Sequence, residues 1–294
     1  MSYLTKTEKT YFYFGLFLKI LLGTFLASHF LTELFMPFIN YFVESGFSNP
    51  YSFFYEKNST VSFPYPALML YIISLPTFLF GSMAEESSYI QLFLIRIPLL
   101  VADIGIFFIL RSWLRNKSHI KLILLYWLSP VLLYISYVHG QLDVIPIALL
   151  FLSLHFLFKK KMIQSGIVFG LALATKTMVI LVLPFIFLFL ISKTIELKYF
   201  FYYIIALILA FLLPNLPFLF DPSFQQMVFN NSEQSKVFEL SLTIGNATFY
   251  VIPASLLLLI IRGALNKNYN QDIFIMFLGF AFGIILIFIS PMQG

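Results

Sequence analysis

Residues 199–220 read YFFYYIIALILAFLLPNLPFLF, and this stretch decides the fold because it holds no charged side chain. A helix needs about 20 consecutive apolar residues to cross the ~30 Å hydrocarbon core of a bilayer, and this run is long enough. The whole chain shares its character, since 60% of the 294 residues are hydrophobic and only 11% are charged. Soluble domains carry roughly 25% charged residues. The sequence therefore predicts an all-α, polytopic membrane protein.

Charge and cysteine content exclude several classes of function. The net charge of +5 is spread over short loops and forms no basic face, so we expect no nucleic acid partner. The chain has no cysteine, which excludes disulfides, thiolate nucleophiles and cysteine-ligated metals. The four histidines, at positions 29, 119, 139 and 155, lack the spacing of a metal site. No Ser-His-Asp or paired-carboxylate pattern of a hydrolase is visible.

Apolar runs divide the chain into spans. We predict nine crossings, at 11–30, 90–110, 122–138, 144–158, 163–175, 177–191, 199–220, 242–261 and 273–290. No repeat or long linker interrupts them, so we expect residues 1–294 to form one integral domain. The sequence ends in FISPMQG without a polar tail, and we expect that it stops short of the natural C-terminus.

The distribution of basic residues orients these spans. Cytoplasmic loops of membrane proteins are enriched in Lys and Arg. Two basic segments should therefore lie on the cytoplasmic side, namely RSWLRNKSHIK at 111–121 and the lysines at 159–161. They share the side of the N-terminus only if the apolar run 63–79 does not cross the membrane. This choice predicts a cytoplasmic N-terminus.

The same choice makes residues 31–89 a large first outer loop. Its apolar run FPYPALMLYIISLP, at 63–76, suits a helix that lies in the membrane interface. Pro64 and Pro66 bracket the start of this helix, and Pro76 is expected to interrupt it.

In this topology the unusual polar residues of the chain converge on the outer side. The stretch YVHGQLDVIPIALL, at 137–150, places an imidazole, an amide and a carboxylate in a tight turn between two spans. Groups in such a turn face a water-accessible cavity and not lipid, which removes most of the penalty of burying them. The candidate site residues from this reasoning are Glu33, Arg96, His139, Gln141, Asp143 and Lys176.

Most of these residues also have a structural interpretation, and the sequence leaves both open. Lys19, inside a span, is expected to extend to the membrane surface or to neutralise a partner such as Asp103. Arg96 and Asp103 lie on roughly one helix face and could pair with neighbouring helices. Asp143 could cap the helix that follows it, and Lys176 could anchor the chain at the interface.

The order of several motifs resembles the membrane-embedded GT-C glycosyltransferases. The stretch LLYWLSPVLLYISYVHGQLDVIPIALLFLSLHFLFKKKMIQSGIVFGLALATKTMVILVLPF has a Ser-Pro helix end, a polar turn with Asp, a basic hairpin, a glycine-containing helix and a lysine, in that family's order. Upstream, YFVESGFSNPY and FPYPALM resemble the family's first outer loop, and RIPLLVADIGIFFIL resembles the span after it. The likeness covers about residues 10–190, and more weakly the remainder, and is closest to the GPI mannosyltransferase I group and its prokaryotic relatives.

The resemblance implies an enzyme that transfers a sugar, with a mannose-like hexose favoured, from a polyprenyl-phosphate-linked donor. The acceptor is a lipid-linked sugar or a glycan on the outer or lumenal face of the cell membrane, or of the ER membrane in a eukaryote. The reaction is inverting: a carboxylate of the first outer loop is the base, and a cation neutralises the leaving phosphate. No cofactor is obligatory, while a divalent metal or a partner subunit is compatible with the pattern.

The resemblance also implies roles for individual residues. Glu33 takes the position of the base, although the family usually has Asp there, and Glu44 and Glu56 are the alternatives. Tyr51 belongs to the outer loop that closes the site. The donor-phosphate ligands are Lys176 and Arg96, and the substrate-binding residues are His139, Gln141, Asp143, Tyr65 and Gln293.

Two other functions stay open at this point. A polytopic lipid or sugar transporter would explain the charges of Lys19, Arg96 and Asp103 inside spans, but it predicts inverted repeats, which are not visible. A non-catalytic scaffold with the same fold would explain why Glu33 stands where the family usually has Asp.

Overall fold

The computed structural model describes residues 4–81, 87–114, 119–193, 196–245, 247–266 and 269–289. Apart from one hairpin, β1 Ser241–Ile244 and β2 Ala247–Tyr250, the regular elements of these residues are helical, which confirms the all-α membrane fold. The helices are α1 Lys6–Phe25, α2 Met36–Glu44, α3 Pro50–Glu56, α4 Ala67–Phe80, α5 Ser88–Trp113, α6 His119–Leu122, α7 Pro130–Leu132, α8 Val144–Phe158, α9 Met162–Leu173, α10 Leu183–Ser192, α11 Leu197–Asn215, α12 Pro222–Val228, α13 Ser232–Glu239, α14 Val251–Ala264 and α15 Gln271–Ile289. Segments with wider or tighter hydrogen bonding extend some of them, namely the π-helical Phe30–Phe35, Ile123–Trp127 and Leu133–His139 and the 3-10 helical Thr177–Val182.

Three helices in the described part of the chain are long and apolar enough to cross a membrane by themselves: Ser88–Trp113, His119–His139 and Leu197–Asn215. A fourth span is formed if α1 and the helix Phe30–Glu44 are taken together, although the two are bent by 64°. The other apolar helices, among them α8 and α14, have between 10 and 17 residues. The number of nine crossings therefore stays a prediction. The membrane-spanning character of the fold rests on the three long apolar helices and not on that number.

The first predicted span, 11–30, is wrong in its last part. The helix α1 starts at a capping box, in which Thr5 and Glu8 each bind the backbone N–H of the other, but it ends at Phe25. Leu26 is extended, with φ −119° and ψ 136°, and the chain resumes in a different direction. A tertiary contact accompanies this break, because the hydroxyl of Ser28 donates a hydrogen bond to the carbonyl of His139.

The predicted span 242–261 is also wrong at its start, where the chain forms the hairpin β1–β2 and only then the helix α14. The turn between the strands contains Gly245, whose φ of +61° lies in the left-handed region that other residues rarely adopt. Strand residues Thr243 and Thr248 are β-branched and stand directly opposite each other. The preferences of these residues for a turn and for strands outweigh the high average hydropathy of residues 242–261, from which a longer helix was predicted.

The helix α4, which the sequence predicts to lie in the membrane interface, starts as predicted but is not interrupted as predicted. Pro66 precedes its first residue, and α4 continues through Pro76 to Phe80. A proline inside a helix removes one backbone hydrogen bond, which costs about 3 kcal/mol. Because Ile73 and Pro76 are both buried by packing, that packing holds the helix together across the missing bond.

Glycines allow α9 and α11 to touch along their backbones. A Cβ atom added at Gly166 would lie 2.5 Å from the carbonyl oxygen of Tyr203, and one added at Gly170 would lie 2.2 Å from that of Leu207. Only glycine fits at both positions, as in the small-xxx-small contacts common in membrane helices. The preceding helix joins this pair, because the hydroxyls of Ser153 and Ser165 each donate to the other residue's carbonyl, both at 2.9 Å.

The predicted first outer loop, residues 31–89, is tied to the end of α11 and the segment after it. The side chains of Asn49 and Ser52 both donate to Oδ2 of Asp221, each at 2.7 Å, and the N–H of Ala67 donates to Oδ1 of Asn215 at 3.0 Å. Burial raises the pKa of the Asp221 carboxyl. Hydrogen bonds from Ser52, Ser223 and Phe224 together lower that pKa by more, so it lies below its usual value. The loop is therefore a fixed part of the fold and presents Tyr65 in one position.

Candidate active site at the turn before α8

The turn predicted between two spans is formed by residues 140–143. The π-helical segment Leu133–His139 ends at Gly140, whose φ of +87° is left-handed, and the N–H of Gln141 donates to the carbonyl of Ile135 at 3.0 Å. Leu142 is fully buried in the hydrophobic core beneath the turn. His139, Gln141 and Asp143 thus sit on a tight and anchored turn, as the sequence predicted.

Lys176 reaches this turn from the connection between α9 and α10. Its Nζ lies 2.5 Å from Oδ1 of Asp143, and both side chains are partly exposed to the surroundings. The same Nζ lies 5.8 Å from the centroid of the Tyr65 ring. The structure therefore brings together three of the residues singled out in the sequence, Lys176, Asp143 and Tyr65.

The alternative interpretation of Asp143 as a helix cap is wrong. Its side chain makes no hydrogen bond to the first N–H groups of α8. The physical reason is its backbone, which is already helical with φ −63° and ψ −17°, whereas a capping residue needs an extended conformation to turn its side chain back. The carboxylate points instead to Lys176.

Tyr65 is held rigidly from the first outer loop. Its ring packs edge-on against Phe35, at 5.7 Å between centroids, and the hydroxyl of Tyr51 donates to its backbone carbonyl at 2.9 Å. Burial, together with the nearby Tyr71, raises the pKa of Tyr51 well above its usual value, so this hydroxyl keeps its proton and remains a donor. The loop thereby fixes one wall of the site.

Arg96 approaches the same turn from inside the helix bundle. It is only 3% exposed, and its Nη2 donates to the carbonyls of Leu26, at 3.2 Å, and Tyr137, at 3.4 Å. Its Nε and Nη1 are buried and have no acceptor in the described part of the protein. Among those residues no carboxylate lies within 4.0 Å of the guanidinium, so the alternative that Arg96 pairs with neighbouring helices is met by the carbonyls of Leu26 and Tyr137 and not by an acid.

Gly140 lets the turn lie directly on this guanidinium. A Cβ atom at Gly140 would be 3.1 Å from Nη1 of Arg96 and 3.2 Å from Cβ of Leu31. The neighbouring ring of His139 stacks on Phe30 at 5.4 Å, and its Nδ1 is buried without a partner among the described residues. Two side chains with unused polar nitrogens therefore lie beside one turn, and at least one of them is a cation.

Behind Arg96 lies a buried ion pair that the sequence analysis had partly foreseen. The Nζ of Lys19 is 2.6 Å from Oδ2 of Asp103, and both side chains are 0% exposed, which confirms Asp103 as the neutralising partner. The hydroxyls of Tyr126 and Tyr137 each donate to Asp103 at 2.7 Å, and Nζ of Lys19 lies 3.4 Å from the ring centroid of Trp127.

Sequence reasoning missed these aromatic residues. A signal was available, because Tyr126 and Tyr137 are hydroxyl-bearing residues within one predicted span, and a buried carboxylate such as Asp103 needs hydrogen-bond donors. The network reaches the candidate site through Tyr137, whose hydroxyl binds Asp103 and whose carbonyl binds Arg96.

The three candidate bases, Glu33, Glu44 and Glu56, have exposed side chains. Glu33 is exposed on the π-helical segment Phe30–Phe35, whose Leu31 packs against Gly140 and whose Phe35 packs against Tyr65. The alternatives, Glu44 and Glu56, are exposed at the last residues of α2 and α3. Gln293 lies outside the described residues. The structure thus puts the segment of Glu33 next to the turn without bringing its carboxylate into contact with the other candidates.

An apolar groove of about 330 Å³ has Thr177, the residue after Lys176, in its lining. The other lining residues come from the end of α9, the 3-10 segment and α11, together with Phe229. The lining residues are Leu173, Thr177, Ile180, Leu207, Ile208, Phe211, Leu212 and Phe229. In the described part of the chain no three His, Asp or Glu side chains lie close enough together to hold a metal ion.

A family model described as Glycosyltransferase family 87 matches residues 63–290, which is most of the chain and includes the turn at 140–143, Lys176 and the groove. No curated protein and no solved structure matches.

Proposed function

The chain belongs to glycosyltransferase family 87, and on this basis we propose that it takes its sugar from a polyprenyl-phosphate-linked donor and uses the turn at 140–143 as its active site. The sugar is a hexose, with mannose favoured, and the acceptor is a lipid-linked sugar or a glycan. The proposal retains the GT-C type and the likeness to the GPI mannosyltransferase I group as the closest pattern within that superfamily.

The observation that supports this donor best is the arrangement of two cations around one turn beside an apolar groove. Lys176 meets the turn at Asp143, and Arg96 meets it at Gly140 with two nitrogens, Nε and Nη1, that have no acceptor among the described residues. A leaving phosphate needs positive charge and hydrogen-bond donors at the place where its own negative charge increases. A lipid phosphate also needs an apolar surface for its chain, and the groove that starts at Thr177 provides one next to Lys176.

In this mechanism Asp143 and the donor phosphate compete for Lys176. The free site holds Lys176 by its ion pair with Asp143, which keeps a partly exposed ammonium in position. When donor binds, the phosphate takes over Lys176 and receives the free N–H groups of Arg96. Asp143, Gln141 and His139 then face the sugar hydroxyls, which need polar partners once water is excluded.

Transfer is inverting. The acceptor hydroxyl oxygen attacks the anomeric carbon and forms the new glycosidic bond, while the bond from that carbon to the phosphate oxygen breaks. The electron pair of the broken bond leaves with the lipid phosphate, and the hydroxyl proton passes to the carboxylate of Glu33. Because Glu33 is exposed in the free protein, substrate binding has to bring the acceptor hydroxyl within ~3 Å of it. No cofactor is obligatory, and assistance by a divalent metal at the phosphate is compatible with this scheme.

The protein acts in the cell membrane, or in the ER membrane if the source is a eukaryote, with a cytoplasmic N-terminus and the site on the outer or lumenal face. The placement rests on the basic residues of the cytoplasmic loops. A partner subunit is compatible with this arrangement, and no nucleic acid is involved.

The test is transfer of radiolabelled hexose from polyprenyl-phosphate hexose in nanodiscs that contain the purified protein. We expect the Glu33→Gln protein to bind donor but to lose transfer by at least ~100-fold, as is typical when a general base is removed. Glu239→Gln, an exposed acid elsewhere on the chain, is the matched control and keeps full activity. Equal rates for the Glu33→Gln and unchanged proteins would remove Glu33 as the base, and a loss in Glu44→Gln or Glu56→Gln would identify its replacement.

A further inference from the structure

The hairpin β1–β2 has one entirely apolar face. Leu242 pairs with Phe249 and Ile244 pairs with Ala247, while Thr243 pairs with Thr248 between them. Because successive side chains of a strand point to opposite sides, the two apolar pairs share one face of the hairpin. The other face carries Ser241, Thr243, Thr248 and Tyr250.

No described part of the protein covers the apolar face. Leu242 is 59% exposed, Ile244 is 69% exposed and Phe249 is 52% exposed. A hairpin of two strands is at best marginally stable in water unless its apolar side packs on something. Removal of this apolar surface from water is favourable, so a surface that covers this face stabilises the hairpin.

The position of the hairpin identifies what covers it. The second strand leads directly into α14, and the N–H of Val251 donates to the carbonyl of Leu240 at 2.9 Å, which fastens the base of the hairpin to the start of this helix. Farther along α14, Leu257, Leu258 and Ile261 are exposed, as expected for a helix in contact with lipid.

The length of α14 fixes the depth of its first residue. A helix of 14 residues is about 21 Å long, which is shorter than the ~30 Å of a hydrocarbon core. Its last turn carries the exposed Arg262, a residue that belongs at the polar boundary. With that end at the boundary, the start of α14 lies about 9 Å short of the opposite boundary, and the hairpin, whose four-residue strands are about 13 Å long, is long enough to reach it.

We propose that the apolar face of the hairpin β1–β2 docks into the lipid bilayer, at the level where acyl chains meet headgroups. This zone fits the hairpin in two ways. It accepts apolar side chains while still offering water to the unpaired backbone groups on the outer edges of both strands, which the hydrocarbon core does not. The rings of Phe238 and Tyr250, 5.6 Å apart at the base, suit the aromatic belt of the same zone.

The absence of charge favours lipid over a protein partner. Residues 240–252, LSLTIGNATFYVI, include no acidic or basic residue, so the segment offers no complementary charges that would select one protein surface. The docking does not depend on the glycosyl transfer proposed above, because it follows from the register, exposure and attachment of the hairpin.

Because the chain contains no cysteine, single cysteines can report on each face. Ile244→Cys and Thr243→Cys are neighbouring exposed positions on opposite faces, and each is labelled with the fluorophore NBD in phospholipid nanodiscs. Lipids that carry a nitroxide at carbon 5 of the acyl chain then quench the label. We expect quenching at 244 to be at least threefold stronger than at 243, and the same contrast between positions 249 and 248.

A second measurement needs no substitution. A phospholipid with a diazirine in its upper acyl chain is photolysed in nanodiscs with the unchanged protein, and the labelled residues are located by mass spectrometry. We expect labels on Leu242, Ile244 and Phe249 and not on Thr243. Equal quenching on both faces together with no lipid label on the apolar residues would overturn the proposal. So would disulfide formation between two chains of the Ile244→Cys protein without lipid quenching, since that result assigns the face to a second copy of the chain.

Discussion

At the scale of the residue, Arg96 is the most unusual feature of the site. A guanidinium removed from water normally has its N–H groups paired, because each unpaired polar group costs roughly 1–3 kcal/mol. Arg96 is buried with Nε and Nη1 unpaired within the described structure, while carbonyls of Leu26 and Tyr137 hold Nη2. An anion that binds here would satisfy donors already in place, which supports the proposed role of Arg96 as a ligand of the donor phosphate.

The change Arg96→Lys tests this role. Lysine keeps the charge but cannot bind two carbonyls and a phosphate in the fork geometry of arginine. We expect the KM for the polyprenyl-phosphate donor to rise about tenfold, which corresponds to ~1.4 kcal/mol, with a smaller change in kcat. Initial rates at varied donor concentration measure both constants.

Arg262→Lys is the control for this experiment, since Arg262 is exposed in the last turn of α14, far along the chain from the turn. An unchanged donor KM in Arg96→Lys would show that the free N–H groups do not contact the donor.

Gly140→Ala separates backbone strain from contact with Arg96. Gly140 and Gly46 both have positive φ, +87° and +70°, so alanine at either position costs about 1–2 kcal/mol of stability. Only at Gly140 would the new Cβ meet a neighbour, Nη1 of Arg96 at 3.1 Å, whereas no described atom lies within 4 Å at Gly46.

We therefore expect similar losses of thermal stability in Gly140→Ala and Gly46→Ala, but a loss of sugar transfer only in Gly140→Ala. Thermal melting in detergent and the radiolabel assay measure the two effects. Equal activity in both proteins would mean that the turn does not need its close contact with the guanidinium.

At the scale of the element, the buried network links three helices to the site. Lys19 comes from α1, Asp103 from α5, and Tyr126 and Tyr137 from the span His119–His139. Removal of one partner from a buried ion pair leaves an uncompensated charge, which costs about 3–5 kcal/mol, whereas removal of both charges is often nearly neutral.

The predicted result is that Asp103→Asn lowers the melting temperature strongly and that Lys19→Met in the same chain restores most of it. Thermal melting of the two single variants and the double variant gives the coupling between the residues. If the two single losses simply add in the double variant, the ion pair is not the unit that stabilises these helices.

The elements also show what a sequence can reveal. The turn at 140–143 and the pair of Lys19 with Asp103 were predictable, because polar residues in an apolar run must pair with each other or sit at its end. The break after Phe25 was not, because it accompanies the hydrogen bond from Ser28 to the distant carbonyl of His139. The ion pair of Asp143 with Lys176 was not predictable either. The sequence allowed Asp143 to cap the helix that follows it, whereas the structure shows a contact with a residue distant in the chain.

At the scale of the whole molecule, the arrangement of the first outer loop depends on whether α4 crosses the membrane. Tyr55, before α4, and Tyr89, after it, are both exposed. If α4 lies in the interface, both belong to the outer side, and the exposed Lys160 belongs to the cytoplasmic side.

Single cysteines at these three positions test the topology in intact cells. We expect a membrane-impermeant maleimide to label Tyr55→Cys and Tyr89→Cys from outside, and Lys160→Cys only after the membrane is opened. Opposite accessibility of positions 55 and 89 would show that α4 crosses, and the proposed face of the active site would then have to be reconsidered.

The contact of α9 with α11 has a consequence for the lipid-linked donor proposed above. The two helices touch at Gly166 and Gly170, and the groove opens beyond this contact toward Thr177. Two of its lining residues, Ile180 and Ile208, are exposed, so the groove is open at its side to the surrounding bilayer. If the lipid-linked donor proposed above lies in this groove, the exposed side lets the far part of its chain leave the groove and mix with the surrounding lipids. The proposed function therefore predicts recognition of the phosphate and the nearest part of the chain, and little dependence on the length of the tail.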